Sequence, residues 1–271
     1  MYHDFSLILA ILFYLSATVT LAVSISRQAL VWRTVSVICA FAGGTAHSIA
    51  QLQHWHLFAV PDVGLLNLLS LCVLVGVFIL CISVFSKNSL YDASLVALPL
   101  AAVVLILEWA IPMRSFLLTD VSAGTTVHII SSVLAFGVFT IAGVYALFIA
   151  LIDYFLRRHH LNPWVRTLPP LETLERLLFQ LIGIGFILLT VSLISGTAFV
   201  SDLFAQHLVH KTILSLLAWI IFGFLLLGRW RYGWRGRYAV KLTLAGLFIL
   251  VLSYFGSKIV LELILDRSWR G

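Results

Sequence analysis

Long apolar runs follow one another along almost the whole chain, and short polar segments separate them. A helix that crosses the hydrocarbon core of a membrane needs about 20 apolar residues. These polar segments divide the chain into eight apolar runs of about this length, near residues 5–25, 34–52, 65–85, 92–111, 125–151, 178–200, 209–228 and 241–262. Of the 271 residues, 62% are hydrophobic and only 10% are charged. Soluble domains carry about 25% charged residues, so this composition excludes a water-soluble globular protein and a disordered chain.

These runs predict helices, because lipid offers the backbone no hydrogen-bonding partners. We therefore predict an all-α, polytopic membrane protein with eight transmembrane helices, folded as a single integral-membrane domain over residues 1–271. The first run has no basic segment before it and no small-residue cleavage site after it. This pattern indicates a retained span rather than a signal peptide.

The distribution of Lys and Arg predicts the orientation. Twelve of the 17 Lys and Arg residues lie on one side of the predicted spans, three lie on the other side, and Lys211 and Lys258 lie at span ends. Cytoplasmic loops carry the excess of these residues, so both termini are predicted to lie outside. The two prominent cytoplasmic loops are 153–176 and 228–240, and the second alternates Arg with Trp and Tyr, which suits a lipid head-group interface. This asymmetry accounts for the net charge of +6 without a nucleic-acid partner.

Histidines are the first candidates for chemistry, because ionisable residues inside a membrane cost free energy and are commonly functional. His47, His128 and His210 fall at the predicted outer ends of three different spans. The other histidines fall on predicted loops or at the terminus: His3, His54, His56, His159, His160 and His207. A neutral imidazole can bind haem iron, zinc or copper. Zinc usually takes three or four ligands, whereas haem iron takes one or two and otherwise needs an apolar, aromatic cleft.

From the residues alone, three interpretations stay open: haem binding, another metal or a proton relay, and histidines that only pack. Asn67 lies in the same predicted outer layer, and Trp219 lies two to three turns below His210, where it can line a cleft. The three cysteines lie in apolar runs and form no CxxC or CxxCH motif. This argues against thiol–disulfide chemistry and against covalent c-type haem on this chain.

Several segments resemble the CcsA/CcmC/CcmF cytochrome c assembly superfamily. The HKTILSLLAW, GWRGR and YFG segments between His210 and Val260 resemble the C-terminal half of that family. The segment TVHIISS, which contains His128, is similar to the family's external histidine at the start of a helix, and GLLNLLSL from Gly64 is similar to its helix after an early external loop. The length and the PPLETLERLLF segment are closest to the YpjD/HemX-like branch.

The resemblance implies a haem-handling protein of the bacterial inner membrane, in which external histidines hold non-covalent haem b. His128 matches the first external histidine, and His47 or His210 is then the second axial ligand, with Trp219 and Asn67 beside the cofactor. The family's tryptophan-rich WWD motif, expected between Gly196 and Trp219, is absent from this sequence. The resemblance therefore implies a role in cytochrome c assembly or haem trafficking without that motif. The implied partners are haem, membrane lipid and other cytochrome assembly or haem-synthesis proteins.

Two other functions are compatible with the sequence. The missing WWD motif favours a non-catalytic regulator or partner-binding subunit, for example of haem synthesis. An ion or small-solute transporter would use His128, Glu108, Asn67 and Lys258 as its polar path, although no inverted repeat supports one. No nucleophile elbow, phosphate loop or pair of carboxylates in one span points to an enzyme.

Overall fold

The structure, a computed structural model, describes residues 2–58, 64–85, 91–111, 122–157, 170–199 and 206–256, and within these ranges every regular element is a helix. The helices are α1 (Tyr2–Arg27), α2 (Leu30–Phe58), α3 (Leu65–Ser83), α4 (Ser94–Ala110), α5 (Ala123–Arg157), α6 (Leu171–Phe199), α7 (Gln206–Tyr232) and α8 (Arg237–Val251). A short 3₁₀ turn, Tyr91–Ala93, precedes α4, and a π-helical turn, Leu252–Gly256, follows α8.

Each of the eight α-helices, together with these flanking turns, is long and apolar enough to cross a membrane, with a mean hydropathy between 1.3 and 2.6. The predicted fold class, an all-α polytopic protein with eight transmembrane helices, is confirmed. Large apolar side chains are exposed along these helices, such as Ile187 and Ile194 on α6. Apolar surface on this scale is suited to contact with lipid. The side of the membrane on which the termini lie stays a prediction.

Several helices extend beyond the apolar runs that predict them. Helix α7 continues to Tyr232, so Arg229 and Arg231 of the predicted loop 228–240 are helical, and only residues 233–236 connect α7 to α8. Hydropathy marks where a helix leaves the lipid, whereas its backbone hydrogen bonds continue into the polar region. The helices end at this turn because Gly233 and Gly236 have φ angles of 66° and 62°, which favour glycine.

The predicted loop positions of some histidines are wrong. His54 and His56 lie within α2, and His207 lies in the first turn of α7. His3 lies at the terminus, where it is the second residue of α1. In the predicted loop 153–176, α5 ends at Arg157 and α6 begins at Leu171, directly after the Pro-Pro pair. His159 and His160 lie outside the described residues.

The chain divides into two compact units. Unit 1 comprises Met1–Thr119 and Leu147–Leu177. Within it, α1 packs against α2 and α4, and α3 packs against α2 and α4. Tyr14 and Tyr91 are the largest fully buried side chains of its apolar core. The Tyr91 hydroxyl lies 2.8 Å from the Ser36 hydroxyl, so this buried polar group is paired, as buried polar groups generally are.

Unit 2 comprises Asp120–Ala146 and Leu178–Gly271. Phe139 of α5 stacks on Phe222 of α7, with their ring centroids 3.9 Å apart. Helix α6 passes close to this pair, since a β-carbon on Gly185 would lie 2.9 Å from the Phe139 ring. Small residues let membrane helices approach closely, and here they make room for aromatic side chains.

Candidate functional site

His128 lies about one turn into α5, where the sequence predicts it, and its ring is fixed by the neighbouring helix of unit 2. Its Nδ1 atom lies 2.8 Å from the backbone carbonyl oxygen of Ser192 on α6. A carbonyl oxygen only accepts hydrogen bonds, so Nδ1 carries the proton and Nε2 keeps its lone pair. This tautomer binds metals through Nε2. Among the residues that the structure describes, none is hydrogen-bonded to Nε2.

Hydroxyl groups hold α5 and α6 together around His128. The Ser132 hydroxyl donates to the His128 carbonyl oxygen at 2.6 Å, and it lies 2.6 Å from the Ser192 hydroxyl. Gly196 lies beside the imidazole, because a β-carbon there would be 2.9 Å from His128 Nδ1. Ser192 and Gly196 are one turn apart on α6, so one side of that helix both orients the ring and leaves space for it.

A cavity of about 90 Å³ opens beside His128. Its polar wall combines side chains of α5, α6, α7 and the π-helical turn: His128, Ser132, Ser192, Lys211, Ser215 and Tyr254. Pockets for drug-sized molecules measure roughly 300–1,000 Å³. The cavity therefore accommodates a polar group or a few waters, and it does not enclose a molecule as large as a porphyrin.

Lys211 lines this cavity, although the sequence indicates only a residue at a span end. Its Nζ atom lies 5.1 Å from the centroid of the Tyr254 ring, in the range of a cation–π contact. Its carbonyl oxygen accepts hydrogen bonds of 2.8 Å from the hydroxyls of Ser215 and Ser253. The signal in the sequence was a lysine at the edge of an apolar run, next to a histidine.

His47 lies in a buried hydrogen-bond network in unit 1. Its Nδ1 atom is 3.1 Å from the Tyr14 hydroxyl, and its Nε2 atom is 2.8 Å from the Ser70 hydroxyl. Tyr14, His47 and Ser70 are each 0% exposed. Both ring nitrogens are thus engaged, and a metal bond to either would replace one of these hydrogen bonds.

The same network continues to α4. The Gln51 side-chain amide donates to Ser70 at 3.0 Å and to Glu108 Oε1 at 3.3 Å. Because Tyr14 belongs to α1, His47 and Gln51 to α2, Ser70 to α3 and Glu108 to α4, the network connects four helices of unit 1. Sequence reasoning singled out His47 and Glu108 but not the groups that join them.

The remaining predicted site residues have different surroundings. Asn67 is buried near the start of α3 in unit 1. Trp219 lies in unit 2, where its indole N–H donates to the Thr190 hydroxyl at 2.8 Å and its ring stacks on Phe186. Trp219 is not among the residues that line the cavity beside His128. His210 belongs to α7, but its side chain and the whole of Lys258 lie outside the described residues.

Other metal chemistry has little support in the described part of the chain. No group of three His, Cys, Asp or Glu residues lies close enough together there to hold a metal ion. All three cysteines are free thiols, and Cys72 and Cys81 are buried.

The fold and the His128 site together define a multi-pass helical membrane protein with an oriented histidine beside a small cavity. The family described as Cytochrome C assembly protein matches residues 4–265. The chain therefore belongs to this family, which confirms the resemblance seen in the sequence.

Several bacterial proteins are similar to this chain. The inner membrane protein YpjD of Escherichia coli K12 is 34% identical over 239 residues, which cover 86% of this chain and 89% of that protein. The cytochrome c biogenesis protein CcsA of Picosynechococcus sp. is 29% identical over 100 residues, 36% of this chain and 30% of that protein. The CcsA protein of Gloeobacter violaceus is 31% identical over a stretch of the same length. No solved structure matches the chain significantly.

Proposed function

We propose that this protein binds haem in the bacterial inner membrane and takes part in cytochrome c assembly or haem trafficking. Family membership, the similarity to an inner membrane protein and the similarity to CcsA proteins support this role. The observation that carries the proposal is the hydrogen bond from His128 Nδ1 to the Ser192 carbonyl oxygen, which leaves Nε2 as a metal ligand.

A single histidine ligand suits haem iron better than zinc. Haem iron needs one or two axial ligands, and His128 supplies one imidazole in the required tautomer. The haem would be non-covalent haem b, because the sequence has no CxxCH attachment motif. Bound haem would supply an iron centre for electron transfer or for delivery to another protein. The cavity of about 90 Å³ is too small for the porphyrin ring, so only a substituent of the ring would enter it.

His47 is not available as a second axial ligand without a change in its contacts. His47 would have to give up its hydrogen bond to Tyr14 or to Ser70 before it bound iron. His210, one residue before the cavity residue Lys211, is the other candidate from the sequence. We therefore assign one ligand, His128, and treat His47 as a residue that stabilises unit 1.

The sequence narrows the role within the family. Because the WWD motif is absent, we propose haem binding and transfer rather than attachment of haem to apocytochrome c by this chain alone. Cytochrome assembly or haem-synthesis proteins would then be its partners, with membrane lipid around the helices. The charge bias predicts that His128 lies near the outer surface.

An absorption spectrum of the purified protein, oxidised and reduced, tests the proposal. We expect a b-type Soret band and α band in the wild type, and loss or a shift of both in His128→Ala. Added imidazole should restore the spectrum of His128→Ala, because it replaces the missing ligand. Ser131→Ala is the matched control, since among the described residues the Ser131 hydroxyl donates only to backbone carbonyls of its own helix, those of Val127 at 2.7 Å and His128 at 3.2 Å, and is not hydrogen-bonded to the imidazole.

The two possible failures are distinct. A featureless spectrum in the wild type, even after haem is added, would reject haem binding. A normal spectrum in His128→Ala would leave haem binding in place and reject His128 as the ligand.

A further inference from the structure

Lys211 is a cation at the first residue of the span Lys211–Tyr232, and the described part of unit 2 provides no counter-charge for it. The described residues of unit 2 contain no Asp or Glu, so no carboxylate among them can pair with its ammonium group. A lysine at the edge of an apolar span is less costly than one at its centre, but it still generally pairs with a partner or serves a substrate or ion. Lys211 therefore has a charge that an external anion can neutralise.

The position of Lys211 is fixed by the helix and the turn around it. Ser253, in the π-helical turn, donates its hydroxyl proton to the Lys211 carbonyl oxygen. In the same turn, Tyr254 lies beneath the Lys211 ammonium group and packs at 5.4 Å from the Phe136 ring of α5.

The cavity offers Lys211 as its main free donor. The neighbouring hydroxyls are already engaged inside the protein, since Ser132 donates to the His128 carbonyl and Ser215 to the Lys211 carbonyl. Among the described residues, none accepts a hydrogen bond from the Lys211 ammonium. A single water needs roughly 10–15 Å³ of cavity volume on the same measure, so a cavity of about 90 Å³ has room for a carboxylate.

We propose that Lys211 binds a carboxylate in this cavity and that the carboxylate is a propionate of haem. The inference rests on the proposed haem binding by His128, which lines the same cavity. Haem b carries two propionates on one edge of its ring. A propionate is small enough to enter the cavity, whereas the ring is too large. The contact would be a charge-assisted hydrogen bond, which is among the stronger hydrogen bonds in proteins.

A comparison of haem with haem dimethyl ester tests this assignment, because the ester keeps the iron and removes both negative charges. Soret titration of the wild type should give about tenfold tighter binding of haem than of the ester. Lys211→Gln should weaken haem binding by about tenfold and leave ester binding unchanged. Lys211→Arg should keep the preference for haem. Lys241→Gln, on an exposed position of α8, is the matched loss of one positive charge.

The outcomes separate this proposal from the one it rests on. If the wild type binds haem and the ester equally well, the Lys211 assignment is overturned and haem binding stays intact. This comparison uses only the wild-type protein, so it does not depend on whether a variant folds. Equal losses for both ligands in Lys211→Gln would assign Lys211 a purely structural role. Displacement of haem by oleate at equal concentration would assign the site to a fatty-acid carboxylate and overturn the haem assignment. A wild type that binds neither porphyrin overturns both proposals.

Discussion

Gly196 of α6 provides the space that the His128 ring of α5 occupies. A β-carbon on Gly196 would lie 2.9 Å from His128 Nδ1 and 3.0 Å from its Cε1 atom, which is closer than real side chains approach. The hydrogen-bond acceptor of the same ring, the Ser192 carbonyl, lies one turn earlier on that helix. Any substitution at Gly196 must therefore move the imidazole away from the group that orients it.

Gly196→Ala should weaken haem binding without abolishing the fold. The added methyl group displaces the His128 ring and lengthens its hydrogen bond to the Ser192 carbonyl. We expect a haem affinity lower by about tenfold, within the 10–100-fold range for loss of groups that orient a metal ligand. Titration followed at the Soret band measures this.

Gly183→Ala is the control for that experiment, because it lies on the same helix and a β-carbon there meets nothing within 4 Å. It should leave haem affinity unchanged and should stabilise α6 slightly, since alanine favours helix over glycine by about 0.5–1 kcal/mol. Equal haem affinities for the Gly196→Ala and wild-type proteins would contradict the role of the Ser192 contact.

Tyr14→Phe should destabilise unit 1 and leave the haem spectrum unchanged. The substitution removes the hydroxyl that faces His47 Nδ1 and leaves that buried nitrogen without its partner. An unsatisfied buried polar group costs about 1–3 kcal/mol. Unfolding in mixed detergent micelles, compared with that of the wild type, measures the loss.

Ser16→Ala serves as the control on α1, because its hydroxyl donates only to the Phe13 carbonyl of its own helix among the contacts described. It should change stability much less than Tyr14→Phe does. His47→Gln then separates structure from ligation. Loss of the Soret band in His47→Gln, with the band retained in Tyr14→Phe, would make His47 a haem ligand.

The spans were predictable from the sequence, and their ends were not. Eight apolar runs gave the eight helices because membrane insertion depends on hydropathy over about 20 residues. The end of α7 depends instead on a local property, the positive φ angles at Gly233 and Gly236. The π-helical turn Leu252–Gly256 also has no hydropathy signal, and the prediction continued the last helix straight through it.

The site was predictable in part for a similar reason. His128 stood out because a histidine near the start of an apolar run is unusual. Its partner is a backbone carbonyl 64 positions away, and a backbone group carries no residue signature. The network around His47 escaped notice because serine and tyrosine are common in membrane helices and reveal their pairing only in three dimensions.

Trp219 and Thr190 should act as a structural pair rather than as part of the haem site. Trp219→Phe and Thr190→Val each remove the hydrogen bond between α7 and α6, and each should cost about 1 kcal/mol of stability. The double variant should lose less stability than the sum of the two single variants, because all three proteins lose the same hydrogen bond. Unfolding of the wild type, the two single variants and the double variant in detergent measures this double-mutant cycle. A tenfold loss of haem affinity in Trp219→Phe would instead support the sequence prediction that Trp219 lines the haem cleft.

Cysteine labelling should fix the orientation that the charge bias predicts. Ala123, at the start of α5, and Trp230, near the end of α7, are both exposed and fall on opposite predicted sides. A membrane-impermeant maleimide should label Ala123→Cys in right-side-out spheroplasts, and it should label Trp230→Cys only in inside-out vesicles. Native Cys72 and Cys81 are buried, so the unmodified protein gives the background, including any signal from Cys39.

The orientation decides which compartment the His128 site serves. Because His128 follows Ala123 by about one turn of α5, labelling of Ala123→Cys from outside would place the haem ligand near the outer surface. Haem bound there is positioned for proteins outside the cytoplasm, as cytochrome c assembly requires. The reverse labelling pattern would contradict the charge prediction. It would place His128 on the cytoplasmic side, where contact with haem-synthesis proteins becomes the better explanation of the site.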